Sequence, residues 1–106
     1  MFVTVRHSTV TSTDEVIRQS KEDLLPNTLS KLPGFISFYF VKVSDTELIT
    51  FTIYETKEQS EVANRAALDW IRQRLSQYLV SGPEITIGEL AFSQFAKKEF
   101  PGQMAA

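Results

Sequence analysis

The amino-acid sequence predicts one α+β domain whose elements follow the order β-α-β-β-α-β. Runs of alternating apolar residues near the start, middle and end of the chain indicate strands. Two segments with a 3.6-residue apolar period, each preceded by an N-cap residue, indicate helices. The length of 106 residues fits a single domain. We place this domain at residues 1–95 and treat residues 96–106 as a C-terminal tail, which contains the breaker pair Pro101-Gly102.

The first half of the chain predicts a strand followed by a helix. The strand covers residues 2–10, where apolar and polar residues alternate. Ser12 can cap the following helix, and Glu15 three residues later can return the hydrogen bond as a capping box. Pro26 lacks a backbone donor, so we expect a kink or an early end of the helix there. Leu32-Pro33-Gly34 closes the segment.

The second half predicts a hairpin and then a long helix. Residues 35–43 and 48–56 read as two strands, because a short polar link joins two apolar runs. A second capping box, from Thr56 to Gln59, begins a helix that we expect to run to about Leu79.

The last strand is expected at residues 84–95, after the breakers Ser81-Gly82-Pro83 have ended the long helix. Its apolar residues change parity at Gly88, which predicts a β-bulge at that glycine. The order β-α-β-β-α-β predicts a ferredoxin-like fold. In such a fold both crossover helices normally cover the same face of the antiparallel sheet.

Composition excludes several classes of function. The chain has no cysteine and a single histidine, so it lacks thiol catalysis and a zinc site of the usual kind. A net charge of -2 gives no broad field for binding nucleic acid or an anionic membrane. The longest apolar-rich run, residues 35–43, is far shorter than a membrane-spanning helix. We therefore expect no metal and no organic cofactor. We also expect a cytoplasmic location, because the N-terminus lacks the features of a signal peptide.

The predicted hairpin is apolar on both faces, which indicates a homodimer. One parity of its first strand carries Phe35, Tyr39, Val41 and Val43, and the other carries Ile36, Phe38 and Phe40. Its second strand places Leu48 and Tyr54 on one parity, and Ile49, Phe51 and Ile53 on the other. Helices cover one face of the sheet, so a second copy of the chain can cover the other. The alternative is a sheet buried within one chain, but 106 residues offer no third layer.

Three short stretches resemble the antibiotic biosynthesis monooxygenase-like family. They are Leu32-Pro33-Gly34-Phe35, Tyr54-Glu55-Thr56 at the end of the hairpin, and Ile87-Gly88-Glu89-Leu90. The resemblance covers about Phe2 to Phe92. It implies a dimeric α/β barrel in which two four-stranded sheets face each other, with a small-molecule pocket between sheet and helices in each subunit.

The same resemblance implies two chemistries that occur among family members. Some oxidise aromatic polyketides with molecular oxygen and no metal or flavin, whereas others degrade haem. The long helix of this chain has no histidine to ligate haem iron, which argues against the second chemistry. Oxygen chemistry without a cofactor would require a readily oxidised substrate anion in a dry pocket.

Three polar residues are candidates for catalysis, each with a structural alternative. Asn64 and Arg74 project from the apolar side of the long helix and could orient an oxyanion. Alternatively, Asn64 bonds a neighbouring backbone group, and Arg74 extends its stem over the core with its charge in water. His7 has the ordinary pKa best suited to general-base work, but the sequence indicates no acidic partner for it. Alternatively, His7 is a histidine at the end of a strand with no catalytic role.

Four aromatic residues are candidates for binding a substrate: Trp70, Tyr39, Phe38 and Tyr54. Trp70 lies beside alanines that leave space for a planar ligand, although packing in the core is the simpler interpretation. Two functions follow as hypotheses. The first is a cofactor-independent monooxygenase-like enzyme that acts on a small aromatic or hydrophobic compound. The second is a non-catalytic dimeric module for small-molecule binding or assembly.

Overall fold

The sheet has the predicted ferredoxin-like topology. A computed structural model of the protein describes residues 1–94, in which four antiparallel strands follow the order β2-β3-β1-β4. The strands are β1 (Phe2–Val10), β2 (Phe35–Lys42), β3 (Glu47–Tyr54) and β4 (Leu79–Glu89). With two helical segments on one face of this sheet, the α+β fold predicted from the sequence is confirmed.

The first helical segment, residues 13–27, consists of α1 (Thr13–Gln19), a π turn (Ser20–Leu24) and α2 (Leu25–Asn27). Ser12 caps it as predicted, because its Oγ accepts a hydrogen bond of 3.2 Å from the Glu15 amide. The Glu15 carboxylate does not complete the capping box. It accepts hydrogen bonds from the side chains of Arg18 and Gln19 instead, since these lie one turn further along the same side of the helix.

The segment ends one residue after Pro26, as predicted. The π turn precedes this proline, and the Leu25 amide donates to the Ser20 carbonyl across it. A short 3₁₀ turn, Leu29–Lys31, then leads to Gly34, whose φ of +84° favours glycine. A Cβ at this position would fall 1.8 Å from Oε1 of Gln59, so the loop packs closely on the start of the next helix.

That helix, α3 (Lys57–Arg74), begins with the predicted capping box. Thr56 Oγ1 accepts from the Gln59 amide and Gln59 Oε1 accepts from the Thr56 amide, both at 3.1 Å. The predicted end of the helix near Leu79 was wrong. The helix ends at Arg74, a 3₁₀ turn covers Ser76–Tyr78, and Leu79 already pairs with β1.

The predictions for the last strand were also wrong in two respects. It spans Leu79–Glu89, so residues 81–83 lie within the strand rather than ending a helix, because β1 offers pairing partners from Leu79 onward. Pairing with β1 is regular through Gly88, and the two register shifts instead lie between Leu79 and Glu84. A Cβ on Gly82 would come within 2.7 Å of the His7 carbonyl oxygen, which explains a glycine there. The predicted strand end at Phe95 and the tail lie outside the described residues.

The two faces of the sheet differ in composition. The helix face, which the helical segments cover, includes the buried residues Thr4, Arg6, Val10, Leu48, Thr50, Thr52 and Tyr54. The open face is the opposite side, where each residue is partly or largely exposed, and it includes Val3, Val5, His7, Tyr39, Val41, Ile49, Phe51 and Ile53. A register shift between Phe35 and Ser37 corrects the parity predicted for β2, because it turns Phe35 to the helix face beside Phe38 and Phe40.

Residues 1–94 contain neither a membrane-spanning helix nor a cluster of metal-ligating side chains. No helix there is long and apolar enough to cross a membrane. The same residues contain no group of three or more histidine, aspartate and glutamate side chains arranged to hold a metal ion.

Candidate functional site

A pocket lies between the helix face of the sheet and the two helical segments. Its cavity volume is about 50 Å³, and the surrounding empty space, which includes open solvent at the mouth, is about 550 Å³. The lining residues are Arg6, Ser8, Val10, Val16, Ser20, Leu24, Phe38, Phe40, Leu48, Thr50, Ala67, Ile71, Leu75 and Leu79. Most of these side chains are apolar, and two are phenylalanines that meet edge to face with ring centres 4.7 Å apart. A wall of this kind suits a small hydrophobic or aromatic molecule.

Arg6 is the one charged residue in the lining of this pocket. Its side chain leaves β1 on the helix face and is only 5% exposed. Nε donates to Oδ1 of Asn64 at 3.2 Å, and Nη1 donates to Oγ1 of Thr52 at 3.1 Å. Nη2 is buried and has no hydrogen-bond partner among residues 1–94. The guanidinium is therefore held by neutral groups and keeps one donor nitrogen free.

The charge of Arg6 has no carboxylate partner in the described part of the chain. Burial lowers the pKa of the Arg6 guanidinium to about 10, so it remains a cation at neutral pH. A buried charge without a counter-ion is costly, since the protein interior solvates it less well than water does. The pocket wall therefore presents an uncompensated positive charge.

Tyr54 is buried on the helix face of the sheet, near this arginine. It is fully buried, and its hydroxyl donates to the Leu29 carbonyl at 2.5 Å. Burial raises the pKa of Tyr54 to about 12, and the nearby charge of Arg6 offsets only part of that effect. The hydroxyl is committed to the backbone, and Tyr54 does not line the pocket.

Trp70 and Arg74 meet at a carboxylate outside the pocket lining. Asp23 Oδ2 accepts from the indole Nε1 of Trp70 and pairs with Nη1 of Arg74, each at 2.9 Å. Asn27 donates to the other oxygen at 2.8 Å. The hydrogen bonds from Asn27 and Trp70, together with the charge of Arg74, lower the pKa of Asp23. These contacts tie α3 to the first helical segment.

His7 and Tyr39 lie on the open face, on the other side of the sheet from the pocket. His7 Nε2 lies 2.6 Å from Oε2 of Glu47, an acidic partner that the sequence did not indicate. Both side chains are 42% exposed. Tyr39 is 53% exposed.

The structure thus separates the three candidate catalytic residues. Asn64 reaches the pocket wall through Arg6, Arg74 pairs with Asp23, and His7 lies on the opposite face. Among the four aromatic candidates, Phe38 lines the pocket. Trp70 packs in the core at 8% exposure.

Sequence reasoning missed Arg6. A signal was present, because even-numbered positions of β1 are Thr4, Arg6 and Ser8, and the paired strand carries Thr50 and Thr52 at the matching parity. Polar residues at matching parity on two neighbouring strands indicate either a face in contact with water or a buried polar site.

Comparisons with known proteins find solved structures of similar fold. Neither sequence models of protein families nor curated protein sequences give a match. The monooxygenase from the gene ActVA-Orf6 of Streptomyces coelicolor, solved with the ligand nanaomycin D, is similar in structure with a TM-score of 0.69. Its identity is 16%, over 90% of this chain and 91% of that chain.

Two further structures show the same likeness. A Nitrosomonas europaea protein whose name assigns it to antibiotic biosynthesis monooxygenases has a TM-score of 0.65 and 20% identity, over 85% of this chain and 90% of that one. SnoaB, a cofactor-independent oxygenase from Streptomyces nogalater, has a TM-score of 0.60 and 12% identity, over 94% and 96%. The resemblance inferred from the sequence is confirmed at the level of the fold, which these antibiotic biosynthesis monooxygenases share.

Proposed function

We propose that the protein is a cofactor-independent monooxygenase-like enzyme that acts on a small aromatic or hydrophobic compound. The observation that carries this proposal is the apolar pocket on the helix face, with Phe38 and Phe40 in its wall and the Arg6–Asn64 pair at one side. Structures of the same fold include a monooxygenase in complex with nanaomycin D and a cofactor-independent oxygenase. They support the class of reaction, whereas the pocket supports the class of substrate.

In this proposal the aromatic wall binds the ring system of the substrate, and the polar side orients one of its oxygens. Asn64 acts as a positioning residue, because it holds Nε of Arg6. Trp70 and Arg74 fix the first helical segment against α3 through Asp23, so they shape the pocket without touching the substrate. Apolar walls exclude water from an electron-rich substrate, which itself supplies the electrons that reduce oxygen.

The proposed working unit is a homodimer that pairs two open faces. Val5, Ile49, Phe51 and Ile53 form an apolar surface on adjacent central strands, and each of these side chains is partly exposed. A second copy would bury this surface and place His7 and Glu47 at the interface.

Oxygen uptake by the purified full-length protein tests the enzymatic proposal. A panel of naphthols, anthrones and naphthoquinols is mixed with protein treated with a metal chelator, and dissolved oxygen and product mass are followed. We expect uptake with at least one compound, with a product that retains one oxygen atom from ¹⁸O₂. The variant Phe38→Ala should reduce uptake, whereas Val62→Ala, an exposed change on α3, should not. A panel that binds without uptake would contradict turnover.

One observation favours a second candidate, a non-catalytic small-molecule-binding module. The lining of the pocket contains no histidine, aspartate or glutamate, so no residue there is suited to remove a proton at neutral pH. His7 cannot serve, since it lies on the opposite face of the sheet. Tight binding of a panel compound that is released unchanged, under both air and nitrogen, would establish this second function.

A further inference from the structure

We infer that His7 couples formation of the proposed homodimer to the binding of a proton, so that two copies associate more tightly as the pH falls from about 8 to about 6. This inference rests on the homodimer of the proposed function, and it concerns neither the pocket nor turnover. The observation that carries it is the position of the single imidazole of the chain, which lies between two carboxylates on the open face.

The two carboxylates belong to the strands on either side of β1. Nε2 of His7 lies 2.6 Å from Oε2 of Glu47 on β3, and both side chains are 42% exposed. Glu84 of β4 pairs directly with His7 across the strands, so its side chain lies on the same face. Side chains at directly opposed positions of antiparallel strands are close enough to interact. The other neighbours of His7 on this face are uncharged: Val5, Thr9, Ile49 and Thr86.

Within residues 1–94, the strands bring no lysine or arginine to the open face. Their basic residues are Arg6 and Lys42. Arg6 lies on the helix face, in the pocket wall. Lys42 pairs with Leu48 of that same face, and its Nζ lies 2.9 Å from Oδ1 of Asp14. In a dimer that joins two open faces, the second copy presents an identical face, so protonated His7 is the cation that the strands of either copy can supply.

Loss of water at the interface makes the charge of His7 important. A carboxylate that is removed from water is costly unless a cation compensates its charge. With His7 neutral, each copy would bring Glu47 and Glu84 into the interface without such a cation. With His7 protonated, Nε2 donates a charge-assisted hydrogen bond to Glu47, and the net negative charge of the group falls by one. The dimer therefore favours the protonated imidazole more strongly than the free monomer does, where water solvates all three groups.

The direction of the pH dependence follows from thermodynamic linkage. Because the dimer binds the proton more tightly than the monomer does, association shifts the titration of His7 to higher pH. The added stability of the dimer is fully present below the pH at which the monomer titrates. It is lost as the pH rises through the titration range of the dimer. Histidine ordinarily titrates near pH 6.5, so this window lies around neutral pH.

Sedimentation equilibrium of the full-length protein at constant ionic strength tests this linkage. The Kd of the dimer should rise at least about tenfold from about pH 6 to about pH 8, because each copy can release up to one proton over this range. His7→Gln should form a weaker dimer with little pH dependence, since glutamine stays neutral. The α-amino group of Met1 ordinarily titrates in the same range and is retained in this variant, so any slope that it causes is measured there.

The variant Glu47→Gln covers the case in which His7→Gln does not fold, as judged by circular dichroism. It leaves Glu84 as the one carboxylate beside His7. Its dimer should therefore be tighter than that of the wild type at about pH 8, and its Kd should change less with pH. Glu58→Gln, the same change at an exposed position of α3, is the control and should keep the slope of the wild type.

The single histidine of the chain allows a second measurement. Proton NMR follows the imidazole of His7 directly, at protein concentrations below and above the Kd. The midpoint of its titration should be at least about half a pH unit higher in the dimer, because the two histidines of a dimer share the tenfold change in Kd.

Three results would overturn the inference while leaving the homodimer in place. The first is a wild-type dimer whose Kd does not change with pH or falls as the pH rises. The second is a slope that survives in His7→Gln, which would assign the proton to another group. The third is an equal NMR midpoint in monomer and dimer. A wild-type protein that stays monomeric at every pH would instead contradict the homodimer itself, and this inference with it.

Discussion

The two faces of the sheet reverse the usual distribution of polar residues. The helix face is buried but carries three threonines and an arginine in its central strands. The open face lies outward but carries valine, isoleucine and phenylalanine on the same strands. In most antiparallel sheets with one covered face, the covered side is apolar and the other polar. The difference fits the two contacts that we propose, a small molecule on the helix face and a second copy of the chain on the open face.

The largest effect is expected from a charge in the centre of the open face. Phe51→Glu should raise the dissociation constant of the proposed homodimer at least about 100-fold, because two symmetry-related carboxylates would be buried without partners. Light scattering coupled to size-exclusion chromatography over a range of concentrations measures this. Val62→Glu, on an exposed position of α3, is the control and should leave the dimer intact. A wild-type protein that is already monomeric would contradict our account of this face.

A smaller effect is expected from removing a hydroxyl on the helix side. Tyr54→Phe should lower the free energy of unfolding by about 1 kcal/mol, because the buried hydrogen bond to the Leu29 carbonyl is lost. Chemical denaturation measures the change. Tyr39→Phe removes the same group from the open face, where the side chain is half exposed, and should leave stability within error. Equal losses of unfolding free energy in the two variants would show that a tyrosine hydroxyl contributes the same stability on both faces.

The smallest effect is expected at the helix junction, the contact of Asp23 with Trp70 and Arg74 that joins the first helical segment to α3. Hydrogen bonds from Asn27 and Trp70 and the charge of Arg74 lower the folded-state pKa of Asp23 below its ordinary value. Its contribution to stability is therefore present above the unfolded pKa of about 4 and is lost as the pH falls through the lower folded value.

Asp23→Asn should accordingly be less stable than the wild type at pH 7 and should lose less stability on acidification. Thermal unfolding between about pH 5 and pH 2 measures the slope. Glu15 contributes in the same window, because hydrogen bonds from Arg18 lower its pKa to about 2, so some slope should remain. Asp69→Asn, a change of the same type at an exposed carboxylate, is the control. An unchanged slope in Asp23→Asn would show that the junction is not electrostatically coupled to folding.

Local signals predicted the element types well and the boundaries less well. The capping box at Thr56 and Gln59 formed as expected, since both partners belong to one turn of backbone. At Ser12 and Glu15 the same motif formed only in part, because Arg18 competes for the carboxylate. Leu79 was placed in a helix although it pairs with β1, and pairing between distant segments leaves no local mark in the sequence.

The candidate site was less predictable for a related reason. Asn64 was singled out as a polar residue on an apolar helix side, and it does reach the pocket wall through Arg6. Arg6 itself was missed, because an arginine in a strand with alternating residues suggests a solvent-exposed position. Which parity of β1 faces the helices depends on where the helices pack. The apolar residues Val3 and Val5 suggested that the odd-numbered positions are covered, whereas the even-numbered positions are.

The irregular part of β4 has a consequence for behaviour at high concentration. This strand lies at one margin of the sheet, so its outward backbone groups are open to pairing with another molecule. Pro83 has no amide hydrogen to donate, and the register shifts beside Gly82 distort the strand. Natural sheets use such interruptions to prevent edge-to-edge aggregation. Residues that sequence reasoning took for the end of a helix therefore interrupt, in the folded chain, the exposed margin at which a foreign strand could pair.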